Sequence, residues 1–235
     1  MTRQKVLLIG GSRGLGADLR SSLEKDCDLT ATTRNRNKAD GTDLGYLDLS
    51  DPLTFQPFLE TIGDIQFDLV LFVAAFTIPE NASSDYVKNF RFGSLDYNYF
   101  AEMLKVNCYA QVKLFEMLMA NRLLAEDAKI CFFSSRAGAI ATRGKLPHHR
   151  KGGDLIYRIS KGALNVAVKN LAYDLDETGM TIIALHPGWV KTEAAGQIAE
   201  LETSDATATI LSFIQGLDSS HSGNFFDLTG QVLEW

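Results

Sequence analysis

The sequence predicts an α/β protein: one doubly wound parallel sheet of about seven strands, with helices on both faces. Three observations lead there. Short apolar runs alternate with longer amphipathic segments along all 235 residues, which is the rhythm of repeated βαβ units. The run LVLFV at 69–73 is continuously apolar rather than alternating, as suits a strand buried on both faces. No repeat, low-complexity tract or Pro/Gly/Ser linker divides the chain, so residues 1–235 are expected to form one domain.

The elements follow in order. Residues 5–9 read as a strand, 15–23 as a helix and 29–32 as a second strand. A third strand is expected just before Leu47-Asp48-Leu49. Residues 52–62 suit a helix, with Ser50 or Asp51 as its cap and Pro52 in its first turn. Residues 69–73 are the next strand. The stretch 97–124 predicts one long amphipathic helix, because Met103, Val106, Ala110, Leu114 and Met117 fall on one stripe. Residues 129–134 read as a buried strand, 156–177 as a long helix, 181–186 as a strand and 224–228 as a short one. The polar, turn-rich segments 77–94 and 143–154 follow strands. Ligands of open α/β sheets bind beyond the carboxyl ends of strands, so a site is expected there.

Composition removes several classes. The formal charge is −6, from 23 Lys plus Arg against 29 Asp plus Glu, the wrong sign for a general nucleic-acid binder. The purest apolar run, 69–76, is far short of the roughly 20 residues of a membrane span. Cys27, Cys108 and Cys131 are scattered, so free thiols in the cytoplasm are expected and a metal site is not. The N-terminal MTRQKVLLIGG enters a strand-like run with no signal-peptide pattern.

The strand 5–9 runs into Gly10-Gly11-Ser12-Arg13-Gly14-Leu15-Gly16, and a helix follows. Glycine permits a tight turn and close approach of backbone to a pyrophosphate. The helix start then offers unpaired N–H groups to the phosphates. No Gly-Lys-Ser/Thr closes the loop, so it is not a Walker-type P-loop. A glycine turn without ligand is the plain alternative, but the first strand–helix junction of a βαβ chain is where dinucleotides sit. The second strand ends Ala31-Thr32-Thr33-Arg34. It lacks the acid that usually meets an NAD ribose. Arg34 and Arg13 are candidates for pairing with the 2′-phosphate of NADP, unless both are merely solvated. Asp48 is a candidate for the adenine.

Tyr157-Arg158-Ile159-Ser160-Lys161 lies at the start of a strong helix. Residues four apart share a helix face, so Tyr157 and Lys161 enter one space. A nearby ammonium stabilises phenolate and makes the pair an acid/base unit. Alone, Tyr-x-x-x-Lys arises often by chance. Ser134-Ser135 closes the strand one βα unit earlier, where a hydroxyl can hydrogen-bond a substrate carbonyl. Asn107 sits mid-helix, and asparagine is an indifferent helix former.

With these residues in view, the sequence resembles the short-chain dehydrogenase/reductase family along essentially its whole length. The resemblance rests on Gly10-x-x-x-Gly14-x-Gly16, on the order Asn107, Ser135, Tyr157, Lys161, and on Pro187-Gly188-Trp189-Val190-Lys191-Thr192. The stretch 157–165 and the end Gly223-Asn224-Phe225-Phe226-Asp227 are similar to the small carbonyl-reductase and C-factor-like branch. The resemblance implies a Rossmann-type fold and an NADP(H)-dependent oxidoreductase acting on a carbonyl or alcohol. Tyr157 would be the general acid, and Lys161 would bind the nicotinamide ribose and lower the tyrosine pKa. Ser135 would polarise the carbonyl, and Asn107 would hold a water linking Lys161 to a proton relay. The cofactor would meet Gly10, Ser12, Arg13, Gly14, Leu15, Gly16, Arg34, Asp48, Ala74, Ala75, Tyr157 and Lys161. Thr192, with Pro187, Gly188 and Val190, would fix the nicotinamide carboxamide. Pairing through the helices at 97–124 and 156–177 into dimers or tetramers is also implied.

Departures stand beside it. Ile9 replaces the family's usual threonine before the first glycine, and Val73-Ala74-Ala75-Phe76 replaces Asn-Asn-Ala-Gly. The gap from Ser135 to Tyr157 is long and carries Arg143, Lys145, His148, His149, Arg150 and Lys151. This basic stretch either helps recruit an anionic substrate or is a solvated insertion. Segment 193–206 is expected to cover the pocket. A rival of another class is a non-catalytic NADPH-binding regulator, but such a sensor would not need the Tyr–Lys pair.

Overall fold

In the strand Lys5–Ile9 (β1), four successive side chains are buried, and they alternate between two cores. Leu7 and Ile9 join one core and Val6 and Leu8 the other, as the two-residue period of a strand requires. The computed structural model describes residues 3–39, 44–79, 81–145, 154–192 and 199–235. The remaining strands are Asp28–Thr33 (β2), Leu44–Tyr46 (β3), Phe67–Phe72 (β4), Leu124–Phe133 (β5), Thr181–His186 (β6), Phe225–Asp227 (β7) and Val232–Leu233 (β8). Their order is β3-β2-β1-β4-β5-β6-β7-β8. All neighbours are parallel except β7 and β8.

The predicted α/β sheet covered on both faces is present, with eight strands rather than about seven. The added β8 comes from a tight reversal. The Asp227 carboxylate accepts from the Thr229 and Gln231 N–H groups at 2.9 and 3.1 Å, and Gly230 takes φ +87°.

Helices Gly14–Leu23 (α1) and Thr203–Gln215 (α8) cover one face through Leu15, Leu19, Ile210 and Ile214. The other face is covered by Phe55–Ile62 (α3), Ala110–Ala120 (α6) and Leu155–Asp174 (α7), through Phe58, Leu114, Leu164 and Val168. Each such side chain contributes about 1.5–3 kcal/mol on burial. Phe72 and Phe132 stack at 4.5 Å inside the second core. The described residues also form three short or moderate helices: Arg36–Ala39 (α2), Ser84–Lys88 (α4) and Tyr97–Leu104 (α5). The sequence reading contained neither α2, α4 nor α8.

The predicted long helix over 97–124 is corrected. It is α5, a π-helical turn at Lys105–Tyr109, then α6. It stops at Ala120 because the Asn121 side chain donates to the Met117 carbonyl at 2.8 Å and Arg122 takes φ +57°. Leu124 therefore opens β5, five residues before the expected start. At residues 52–62 only Phe55 onward is α-helical, after a 3-10 turn at Pro52–Thr54 that Asp51 caps by accepting from the Leu53 N–H. Helix α7 ends at Asp174 and a 3-10 turn closes on Gly179 at φ +82°.

A third, smaller core forms on segment 77–94. Phe90, Met103 and Ile156 are buried, with Phe76, Tyr86, Tyr99 and Tyr157 around them. The Phe90 carbonyl accepts from the Leu155 N–H at 3.0 Å, so this cluster fastens the start of α7.

Candidate active site

A cavity of about 900 Å³ opens at the carboxyl ends of the strands, where chain order reverses on either side of β1. Gly10, Ser12, Arg13, Gly14, Leu15, Gly16, Arg34, Asp48, Ala74, Ala75, Ser135, Tyr157, Lys161, Pro187, Gly188, Val190 and Thr192 all line it. Asn107 does not.

The glycine loop forms one end. Gly10 has φ +100°, and a Cβ there would meet Ala74 at 2.8 Å. A Cβ at Gly16 would run into the Gly10 carbonyl oxygen. These contacts leave a cradle that only glycine can form. With Ile9 buried in the core, the anchoring hydroxyl comes from β2. Thr32 Oγ1 accepts from the Gly10 N–H at 3.0 Å, and the Thr32 carbonyl accepts from Gly11 at 2.9 Å.

At the end of β2, Arg36 lies 4.8 Å over the Tyr46 ring. Arg34 is exposed on the cavity wall and has no hydrogen bond or ion pair among the described residues. Asp48 Oδ1 accepts from the Ser50 N–H and hydroxyl at 2.9 and 2.8 Å.

The other end holds the Ser–Tyr–Lys group. Burial pushes the Tyr157 phenol above its ordinary pKa. A hydrogen bond from Ser135 pulls the other way, and the Asp154 charge adds to the rise. Lys161, expected to lower that pKa, is not among the groups acting on the phenol. Its own side chain is 2% exposed and donates to the Phe133 carbonyl at 2.7 Å. Burial brings its pKa down to about 8, against an opposing pull from Cys108.

Asn107 sits in the π-helical turn, fully buried. Its Oδ1 accepts from the Phe76 N–H at 2.6 Å, and its Nδ2 donates to the Phe76 carbonyl and to Ser160 Oγ at 2.9 and 3.0 Å. Ser160 in turn donates to the Tyr157 carbonyl at 2.8 Å. The side chain is committed to protein partners rather than presented to the cavity. The altered stretch 73–76 is thus held by Asn107, and also by buried Gln111, whose Nε2 donates to the Ala74 carbonyl at 3.2 Å.

Near the nicotinamide end of the expected site, Gly188 takes φ +87°, and Val190 forms an isolated bridge with Leu201. Of the segment expected to cover the pocket, residues 193–198 lie outside the described residues. So do His148, His149, Arg150 and Lys151 of the basic stretch.

Sequence reading missed Thr32, Gln111, Arg136, Arg158 and Trp189. Arg136 pairs with Asp227 at 3.1 Å across 91 positions, which no local pattern announces. Arg158 and Trp189 stood inside the quoted motifs and had no assigned role. Among the described residues, no group of three or more His, Cys, Asp or Glu could hold a metal ion, and no helix is long and apolar enough to cross a membrane.

A family model described as Enoyl-(Acyl carrier protein) reductase matches residues 20–215. The chain belongs to the short-chain dehydrogenase/reductase family. Among curated members, C-signal of Myxococcus xanthus is 32% identical over 143 residues, spanning 61% of this chain and 82% of that protein. The 1-hydroxy-2-glutathionyl-2-methyl-3-butene dehydrogenase of Rhodococcus sp. (strain AD45) is 31% identical, over 61% of this chain and 62% of its own length. Among solved short-chain dehydrogenase/reductase folds, NADPH-bound carbonyl reductase from chicken fatty liver superposes with a TM-score of 0.82 at 22% identity, covering both chains fully. Carbonyl reductase Sniffer of D. melanogaster gives 0.78 at 23% identity, again covering both chains fully. At these identities the two structures establish the shared fold.

Proposed function

We propose that this chain is an NADPH-dependent reductase that converts a carbonyl to an alcohol, with Tyr157 as proton donor. One observation carries the reading. Ser135, Tyr157 and buried Lys161 line the cavity whose far end is the glycine loop. The glycine cradle suits a pyrophosphate, and partnerless Arg34 at the end of β2 suits a 2′-phosphate. The NADPH in the chicken structure supports the same choice of cofactor.

When bound, the dinucleotide supplies a hydride to the carbonyl carbon. This chain's residues do the rest. Ser135 holds the carbonyl oxygen by its hydroxyl. Tyr157, kept protonated at neutral pH by burial, gives its phenolic proton to that oxygen. Lys161, with a pKa of about 8, is mostly cationic at pH 7 and, held by the Phe133 carbonyl, would bind the nicotinamide ribose. Asn107 positions the site by clamping Phe76 and Ser160. Asp48 would meet the adenine, and Thr192 with residues 187–190 would hold the nicotinamide carboxamide.

The reading includes one dinucleotide-binding domain over residues 1–235, working in the cytoplasm. It also includes pairing through the α5–α6 stretch and α7, the latter leaving Val166 and Tyr173 exposed; light scattering tests that assembly. The deciding assay is NADPH oxidation against a panel of aldehydes, ketones and quinones. Turnover with at least one, lost in Tyr157→Phe, is expected. NADPH binding without turnover, unchanged in Tyr157→Phe, would mark an NADPH-sensing regulator instead.

A further inference from the structure

We propose that the substrate end of the cavity takes molecules bearing a carboxylate or similar anionic group, held by Arg158. This deepens the reductase reading and rests on it for the identity of the reacting group. Arg158 follows Tyr157 on α7 and lines the same cavity.

The guanidinium is poorly satisfied within the protein. Its one hydrogen bond among the described residues is a long one, from Nη1 to the Ala137 carbonyl at 3.4 Å. Its Nε is sealed from water and has no hydrogen-bond partner among the described residues. A buried donor left unpaired is costly, more so when it belongs to a charged group. No carboxylate among the described residues lies within ion-pair distance of it. Burial and the charge of Arg143 both disfavour its cationic form, and Asp154 offsets them only in part.

Of the other charged groups lining this end, Lys161 donates to the Phe133 carbonyl at 2.7 Å, and Asp154 at the start of α7 is a carboxylate on the same wall. Arg136 is tied to Asp227 at 3.1 Å and Glu102 to Lys105 at 2.7 Å. Glu200 is exposed at the rim. Arg158 makes no ion pair among the described residues, and a planar guanidinium is well matched to a carboxylate.

The test reads binding apart from turnover. Benzoate and neutral benzamide are titrated by calorimetry into the protein saturated with NADP⁺. Benzoate is expected to bind at least tenfold more tightly, and Arg158→Gln to bring the two to parity. Arg158→Lys should keep part of the preference. The Kd for NADP⁺ reports that each variant is folded. Equal binding of the two probes by the unaltered protein overturns the proposal without any variant, as does a preference that Arg158→Gln leaves intact. In turnover, 4-carboxybenzaldehyde should exceed methyl 4-formylbenzoate in kcat/KM, with the ratio falling about tenfold in Arg158→Gln. A protein that prefers benzoate through Arg158 yet reduces no aldehyde would uphold this proposal and sink the reductase reading alone.

Discussion

The two ends of the cavity are built by different means. The cofactor end is shaped by backbone: Gly10 and Gly16 create space by lacking side chains, and Thr32 holds the loop through main-chain N–H groups. The substrate end is shaped by side chains arriving from separate elements. Phe76 comes from the end of β4, Ser135 and Arg136 from the end of β5, and Tyr157 and Arg158 from α7. A backbone cradle accepts one shape and tolerates little change. A wall of side chains is revised one residue at a time, which suits the part of an enzyme that distinguishes substrates.

Substitutions should divide along the same line. The largest effect belongs to Tyr157→Phe, which removes the proton donor and should lower kcat about 10³-fold, or about 4 kcal/mol in the barrier. A fall of less than tenfold in steady-state assays would break the assignment. Gly16→Ala should act on the cofactor end instead. Its methyl meets the Gly10 carbonyl, and overpacking of this kind costs about 1–3 kcal/mol. Fluorescence titration should show NADPH affinity down by about tenfold to a hundredfold. Arg34→Gln should raise the Kd for NADPH by roughly tenfold and leave that for NADH unchanged, because only the former carries the 2′-phosphate. Equal effects on both cofactors would remove Arg34 from the phosphate site.

The smallest effect is a pH dependence of stability. Lys161 titrates near 8 in the folded protein and near 10.4 when unfolded. Unfolding takes up a proton between those values, so this group alone makes stability rise with pH there, by at most about 1.4 kcal/mol per unit. Cys131 acts oppositely. Burial pushes its thiol to about 12, so above about 8.5 the unfolded chain has lost a proton that the folded one keeps, and stability falls. The slopes cancel between about pH 8.5 and 10. Burial raises the Cys27 and Cys108 thiols as well, so urea unfolding should show stability falling gently there, and Lys161→Met should steepen the fall.

What could be read from the sequence was local. The glycine turn, the strand beginning at Lys5 and the one-turn spacing of Tyr157 and Lys161 each sit within a few residues, and the structure places them at one cavity. Distant pairings could not be read. Thr32 reaches Gly10 across 22 positions and Arg136 reaches Asp227 across 91. The interruption of the helix at Lys105–Tyr109 was hidden for another reason: the apolar stripe continues through it, since Met103, Ala110 and Leu114 are all buried. Strand β8 was missed because its pairing depends on the turn that the Asp227 carboxylate holds.

That interruption makes the chain sensitive to its length at one place. Each α-helical residue advances the spiral by about 100°, and the wide turn adds angular slack between α5 and α6. Excising a single residue from it would regularise the hydrogen-bond ladder while swinging everything upstream by roughly that angle. Asn107 and Gln111, which now grip Phe76 and Ala74 together, would then face different directions. A deletion that improves the helix would thus loosen the floor on which both halves of the cavity rest.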